Sequence, residues 1–295
     1  MSSVLTGRYQ RGAKLPAPNV RRDSTGVVAR RRRPARRKQQ PSTVGCALRH
    51  KRAGRAGRLH GSSGRPGGAT LAAMSILGVI TIGQSPRDDM VPELVRHWPG
   101  VDVLQAGALD DLTEEEADRL SPTRGEEVLT SLLRTGRSVV FSRDAVLRRL
   151  EHCIAELEDR GVTANVVVCT GEFPPLTHRR PLLLAERLIV AGVGALSSGT
   201  VGVICPLAAQ IVDSERKFGT VGRLVLASEV DPYSAGETAY VAAARKLTEA
   251  GADVVVLDCM GYTEQHRRWA RAGTDVPVVL ARSLVARLAG EVVAA

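Results

Sequence analysis

An α/β fold with largely parallel sheets is predicted by three features of the sequence. Strand-like and helix-like segments alternate from Ile76 to the end, the order that parallel sheets require. Two apolar runs, Asn165–Val168 and Val254–Leu257, lack polar alternation, as strands covered on both faces do. Each follows a helical segment stopped by a glycine, Gly161 or Gly251, so strand succeeds helix almost at once.

Taken in order, Ile76–Ile82 is the first strand, followed by a glycine loop and a helix over Asp88–His97. Val101–Ala106 is the second strand. Thr113-Glu114-Glu115-Glu116 has the form of a helix start, a threonine cap with acids in the first turn. Ser138–Phe141 is the third strand and Asp144–Arg160 a long helix. Val146, Leu147, Leu150, Ile154 and Leu157 mark its apolar face, and Cys153 beside that stripe reads as a packing residue. Val166–Val168 is the fourth strand and presents Cys169.

The second half repeats the scheme, as an internal duplication would. Either Leu182–Leu184 or Leu188–Val190 opens it. Thr200–Cys205 is a strand stopped by Pro206, which leaves Cys205 structural, and Arg223–Ala227 follows a further helix. The helix Ala235–Gly251 leads to Val254–Leu257, which presents Cys259. Val276–Leu280 is the last strand and Ser283–Val293 the closing helix. The division expected is a first lobe at 74–175 and a second at 176–295, its last helix packing back on the first.

Composition separates the start of the chain from this unit. Residues 1–73 hold eighteen of the 41 Lys and Arg and one of the 31 acids, so they carry +17 and the remaining 222 residues −7. The basic balance therefore belongs to a tail. It includes Arg30–Arg33 and Arg36-Arg37-Lys38, is rich in Gly, Pro and Ser, and has no sustained apolar periodicity, so it is expected to be disordered. A phosphate-binding arm, a targeting segment and a reading frame begun ahead of Met74 are three readings of it. With Tyr9 its one aromatic residue, stacking on bases has little to rest on, and nucleic acid is not an expected partner. No stretch reaches the roughly eighteen apolar residues of a membrane span, so a membrane is not expected either. Cys153, Cys169, Cys205 and Cys259 lack tight metal-ligand spacing, and free thiols in a reducing cytoplasm are the expectation.

A lone cysteine is most often a small buried hydrophobe. Here two strand ends match, Val168-Cys169-Thr170-Gly171 and Leu257-Asp258-Cys259-Met260-Gly261-Tyr262. This repeated pattern resembles the aspartate/glutamate racemase superfamily, which includes hydantoin racemases and arylmalonate decarboxylases. With Ile80-Thr81-Ile82-Gly83-Gln84-Ser85-Pro86-Arg87 and Cys169-Thr170-Gly171-Glu172-Phe173-Pro174, the stretch from Met74 to Ala295 resembles more closely the AroM family. The resemblance implies two similar α/β lobes with a cleft between them, and no cofactor. It carries catalytic roles to Cys169 and Cys259 alone. Where racemases have Asn-Thr after the first cysteine and Thr-His after the second, this chain has Thr170-Gly171 and Met260-Gly261, nearer to hydantoin-racemase-like members.

Two facing thiols suit proton transfer at a carbon beside a carboxylate, because one removes a proton on one face while the other returns one on the opposite face. The expected function is cofactor-independent racemisation or isomerisation of a small carboxylate or cyclic amide. A one-cysteine decarboxylase and a non-catalytic binding or regulatory protein are the alternatives. The turns at Thr170-Gly171 and Met260-Gly261 are expected to offer N–H groups to a substrate carboxylate, and Tyr262 beside the second is a further substrate-binding candidate. In the first loop, Gly83 permits close approach, Gln84 and Ser85 offer hydrogen bonds, and Arg87 a bidentate carboxylate site. Ser142 and Arg143 are candidates by position, and Glu172 as a hydrogen-bonding or general-base residue. No metal site is expected, and a homodimer is kept open as the assembly state.

Overall fold

The computed structural model describes residues 75–196, 199–219 and 224–293, so the basic tail lies outside the described residues. The first half runs β1 (Ile76–Thr81), α1 (Val91–Val95), β2 (Asp102–Gly107), α2 (Glu114–Asp118), β3 (Val128–Leu132), β4 (Ser138–Ser142), α3 (Arg143–Asp159), β5 (Ala164–Val167), β6 (Leu182–Leu184) and α4 (Ala185–Leu196). The second runs β7 (Val201–Cys205), a 3₁₀ turn at Ala208–Gln210, α5 (Ile211–Phe218), β8 (Val225–Glu229), α6 (Glu237–Glu249), β9 (Val254–Leu257), α7 (Glu264–Arg271), β10 (Val278–Leu280) and α8 (Ala281–Val293).

Two four-stranded parallel sheets result, in the orders β2-β1-β5-β6 and β10-β9-β7-β8. They are the same arrangement twice. β1 stands between β2 and β5 as β7 stands between β8 and β9, and β6 and β10 are the matching outer strands. The helices before the two cysteine strands even end alike. Gly161 and Gly251 take positive φ, and Val162 and Ala252 donate back to Leu157 and Leu247.

Because the strands are buried on both faces, alternate residues feed different cores. Leu77, Val79, Ala164, Val166, Val201, Val203, Val254 and Val256 meet α1, α4 and α8 in one cluster shared by the halves. The opposite faces serve one cluster each, Ile80 and Val167 with α3, and Val255 and Leu257 with α6. Trp98, at the end of α1, donates from Nε1 to Ala286 of α8 at 2.7 Å, which ties the last helix to the first half.

Two expectations meet a different arrangement, and one open choice is settled. Ser138–Phe141 is not a third parallel strand: β4 pairs antiparallel with β3, Leu129 opposite Phe141, in a hairpin turned at Gly136. Its alternating burial, with Val140 on the outside, is that of an antiparallel ribbon wet on one side. Of the two candidates to open the second half, Leu182–Leu184 is the strand and Leu188–Val190 is helical. That strand pairs with β5, so the first sheet extends past residue 176 to Leu184.

Candidate active site

β5 and β9 end in turns that carry Cys169 and Cys259 beyond the carboxyl ends of two parallel sheets, where ligands bind in open α/β folds. In each turn the glycine two residues on donates its N–H to the cysteine sulfur, Gly171 to Cys169 at 3.4 Å and Gly261 to Cys259 at 3.3 Å. These N–H groups therefore serve the thiols, not a substrate carboxylate as expected. Gly261 has a further reason to be glycine, since a Cβ there would stand 2.9 Å from the Tyr233 hydroxyl.

Both cysteines line one narrow cavity with Ile82, Arg87, Ser131 and Tyr233, about 30 Å³ in volume and thus room for two or three waters. Burial pushes Cys169 up to about 12, and the nearby Cys259 adds to this, while the Gly171 N–H and the Lys217 charge oppose it. Burial pushes Cys259 up to about 11; Gly261, Arg87 and Arg282 oppose, and Asp258 adds. At neutral pH both are thiols at rest. Cys259 is the more readily ionised because two guanidinium groups face it.

Arg87 lies almost wholly buried with its fork on Asp89, Nε to Oδ1 at 2.7 Å and Nη2 to Oδ2 at 2.8 Å. Its Nη1 donates to the hydroxyls of Thr81 and Ser131, each at 3.0 Å. Four of the guanidinium's five donors are used in this way, so the bidentate site expected for a substrate carboxylate is spent on Asp89. Burial would raise Asp89, but its bonds to Arg87 and the charge of Arg282 hold it below its ordinary value. Behind the cysteines, Lys217 Nζ lies 2.5 Å from Asp258 Oδ2 and 2.8 Å from the Thr170 carbonyl oxygen. A second opening of about 40 Å³, lined by Glu127, Glu172, Asp213, Lys217 and Asp258, shares Leu129, Thr170, Gly171 and Gln210 with the first.

The sequence profile described as "AroM protein" matches residues 77–293. The chain belongs to the AroM family. No match is found among curated protein sequences. Among solved structures, it is similar to a liganded arylmalonate decarboxylase variant with one cysteine introduced and one removed. The identity is 14%, over 75% of this chain and 93% of that one, with a TM-score of 0.52. Allantoin racemase from Klebsiella pneumoniae matches at 16% identity over 75% of this chain and 88% of that one, TM-score 0.50. At such identities what is shared is the fold, the racemase-like α/β arrangement described above.

In this AroM protein several residues expected at the site stand elsewhere. Gln84 is scaffold: its amide donates to the carbonyls of Leu109 and Leu112 at 3.0 and 2.9 Å and accepts from Arg134 N–H. Ser85 gives its N–H and hydroxyl to Asp110. Gly83 is required because a Cβ would stand 2.5 Å from the Leu132 carbonyl oxygen of the hairpin. Ser142 stands at the start of α3 without a side-chain capping bond, and Arg143 pairs with Glu127 and Asp144, both off the cysteine cavity. Glu172 faces Arg216 at 2.8 Å in the second opening. Tyr262 is core: its ring turns into the α6–α7 cluster and its hydroxyl donates to Val230 at 2.7 Å. Thr170 remains at the cavity, its hydroxyl given to the Asp258 carbonyl. Cys205 donates to the carbonyls of Leu207 and Ser228, and Cys153 packs in α3.

Sequence reasoning missed Tyr233, Asp89, Ser131, Lys217 and Arg282. None of these carried a signal, whereas Asp258, to which no role was given, did: a charge at the end of an apolar run and next to a cysteine. Among the described residues no group of three or more His, Cys, Asp or Glu is placed to hold a metal ion, and no helix is long and apolar enough to cross a membrane.

Proposed function

We propose that this AroM protein is a cofactor-independent enzyme of the racemase or isomerase type, acting on a small carboxylate or cyclic amide. Cys169 and Cys259 are its acid and base. The observation that carries the reading is that the two matching strand ends of a duplicated fold bring their cysteines to one cavity. In the working form one sulfur is a thiolate. It takes the proton from the carbon beside the substrate carbonyl, forming S–H and leaving an enolate. The other thiol then gives its proton to the opposite face and becomes the thiolate, so the proton count is unchanged over the turnover.

The Gly171 and Gly261 N–H groups, and the cations Lys217, Arg87 and Arg282, favour the thiolate that burial opposes. A one-cysteine decarboxylase is the second reading, favoured by the unequal thiols, since Cys259 alone faces two guanidinium groups. The test begins with a thermal-shift screen of small carboxylates and cyclic amides, because stabilisation grows with ligand concentration over its dissociation constant. Exchange of the α-proton in deuterated solvent is then followed by NMR for the parent, Cys169→Ser and Cys259→Ser. Loss in both variants, with binding kept, is the expected result. Loss in one alone selects the decarboxylase, parental exchange in both removes the thiols from the chemistry, and binding with no exchange in any selects a binding protein.

A further inference from the structure

At about 30 Å³ the cysteine cavity holds a few waters, as does the second opening at about 40 Å³, whereas sites for small molecules run to about 300–1,000 Å³. A guest can meet both sulfurs only if a wall moves. On one side the walls are fixed. Ile82 and Val168 are buried in the core at strand ends, and the hairpin is pinned to the first half through Leu129 in its core, the Leu132 carbonyl that accepts from Gln84 N–H, and Ser131 on Arg87. The wall at Gln210 differs. Pro206 is buried, but the 3₁₀ turn Ala208–Gln210 after it buries no residue, and Val212 beyond is 71% exposed. The chain is buried again at Lys217 and Phe218. Between these points polar bonds cross to the first half. Gln210 Nε2 donates to the Val128 carbonyl at the start of β3 at 2.8 Å, and Arg216 stands 3.2 Å from Glu127 and 2.8 Å from Glu172. Such ties are weak singly, since a neutral hydrogen bond is exchanged against water and the Arg216 side chain is half exposed. Gln210 lines both openings together with Leu129, Thr170 and Gly171, so its bond to Val128 lies where the two meet.

We propose that residues 207–213 are a lid over the cysteine cavity, latched by the Gln210–Val128 bond, and that parting this latch joins the two openings into one ligand site with the sulfurs at its inner end. A segment with little buried apolar surface, held by a few exchangeable polar bonds, is the part of a fold that opens locally while the rest stays packed. The guest enters between β3 and α5, past Glu127 and Asp213 of the second opening. The lid governs access and not chemistry, so it goes beyond the two-thiol reading and holds equally if the cysteines only line a binding site.

Access is read on the full chain by alkylation with iodoacetamide at one fixed pH, each cysteine followed by mass spectrometry, with Cys153 of α3, outside the cavity, as reference. Gln210→Ala removes the latch without changing any charge near the thiols, and should speed Cys169 and Cys259 at least about fivefold while Cys153 keeps the parental rate. Ala208→Pro works in the opposite direction. Leu207 is extended, at φ −135° and ψ 141°, as the residue before a proline must be, and Ala208 opens the 3₁₀ turn, so proline fits there and stiffens the segment. This variant should slow both cavity cysteines at least about twofold, again with Cys153 unchanged, and it decides the matter alone if Gln210→Ala does not fold. The proposal is overturned if Gln210→Ala reacts at the parental rate at both cavity cysteines, if Cys153 speeds up in step with them, which is general loosening, or if Ala208→Pro leaves both rates parental. Alkylation needs no substrate, so none of these outcomes depends on whether the α-proton exchange of the two-thiol reading is found.

Discussion

The Thr170 hydroxyl donates to the Asp258 carbonyl oxygen at 3.0 Å, so the residue after one cysteine is bonded to the residue before the other. Lys217 reinforces this link from behind, through the Thr170 carbonyl and the Asp258 carboxylate. The spacing of the two thiols is thereby fixed by polar bonds between the sheets as well as by the shared core.

Lys217→Met tests that support. The Lys217 and Asp258 side chains are 7% and 2% exposed, so removing the cation leaves a buried carboxylate without its partner. A loss of about 3–5 kcal/mol in urea unfolding is expected at neutral pH. Adding Asp258→Asn should restore much of it, because a neutral pair no longer carries that penalty. A Lys217→Met loss under about 1 kcal/mol, the scale of a surface pair, would remove the link from the account.

What was legible in the sequence followed from periodicity, and what was not depended on where loops point. Strands buried on both faces need unbroken apolar runs, and those announced β5, β9 and the cysteines they end on, as well as the glycine stops before them. The hairpin was misread because Val128–Leu132 is short and half polar, and Ser138–Phe141 alone looks like any strand. Arg87 was legible as a cation near the site, but its capture by Asp89 two residues on is decided by the fold of the loop. Tyr262 was assigned by its nearness to Cys259 in sequence, whereas its side chain leaves on the core face. Tyr233 lies after β8 in a turn held by Asp231, with no periodic signal, and reaches the cavity only in three dimensions.

Alkylation with iodoacetamide should report the raised thiols. With Cys259 at about 11 and Cys169 at about 12, both rates should rise about tenfold per pH unit from pH 7 to 9 without a plateau, since the thiolate is the nucleophile. Cys259 should react first, being both less raised and less buried. Mass spectrometry of the labelled peptides assigns each site. A plateau below pH 9 at either cysteine would mean a thiolate held at rest, contrary to the neutral cavity.

Acid should weaken the fold through Asp89. Its value in the folded state lies below the ordinary one, so its contribution is full above the unfolded carboxylate value of about 3.9 and is lost as pH falls below that toward the folded value. Parent and Asp89→Asn melting temperatures should accordingly converge between about pH 4 and pH 2, the parent falling faster. Parallel curves over that window would show that Asp89 makes no such contribution.

Arg282 joins the halves at the Cys259 turn. Its guanidinium, 2% exposed, donates to the carbonyls of Met260 at 2.9 Å, Asp89 at 3.1 Å and Gly261 at 3.4 Å, and to the Glu93 carboxylate at 3.0 Å. Only a planar fork reaches acceptors spread this widely, so Arg282→Lys and Arg282→Gln should each cost about 2–3 kcal/mol, the scale of charged hydrogen bonds left unmade. The two variants part at the thiol. Arg282 lowers Cys259 by its charge, which lysine keeps and glutamine does not. Cys259 should therefore be alkylated more slowly in Arg282→Gln than in Arg282→Lys at the same pH, while Cys169, on which Lys217 is the cation that acts, keeps one rate in both and serves as the internal reference for loosening of the fold. Equal Cys259 rates in the two variants would reduce Arg282 to a structural staple without influence on the thiol.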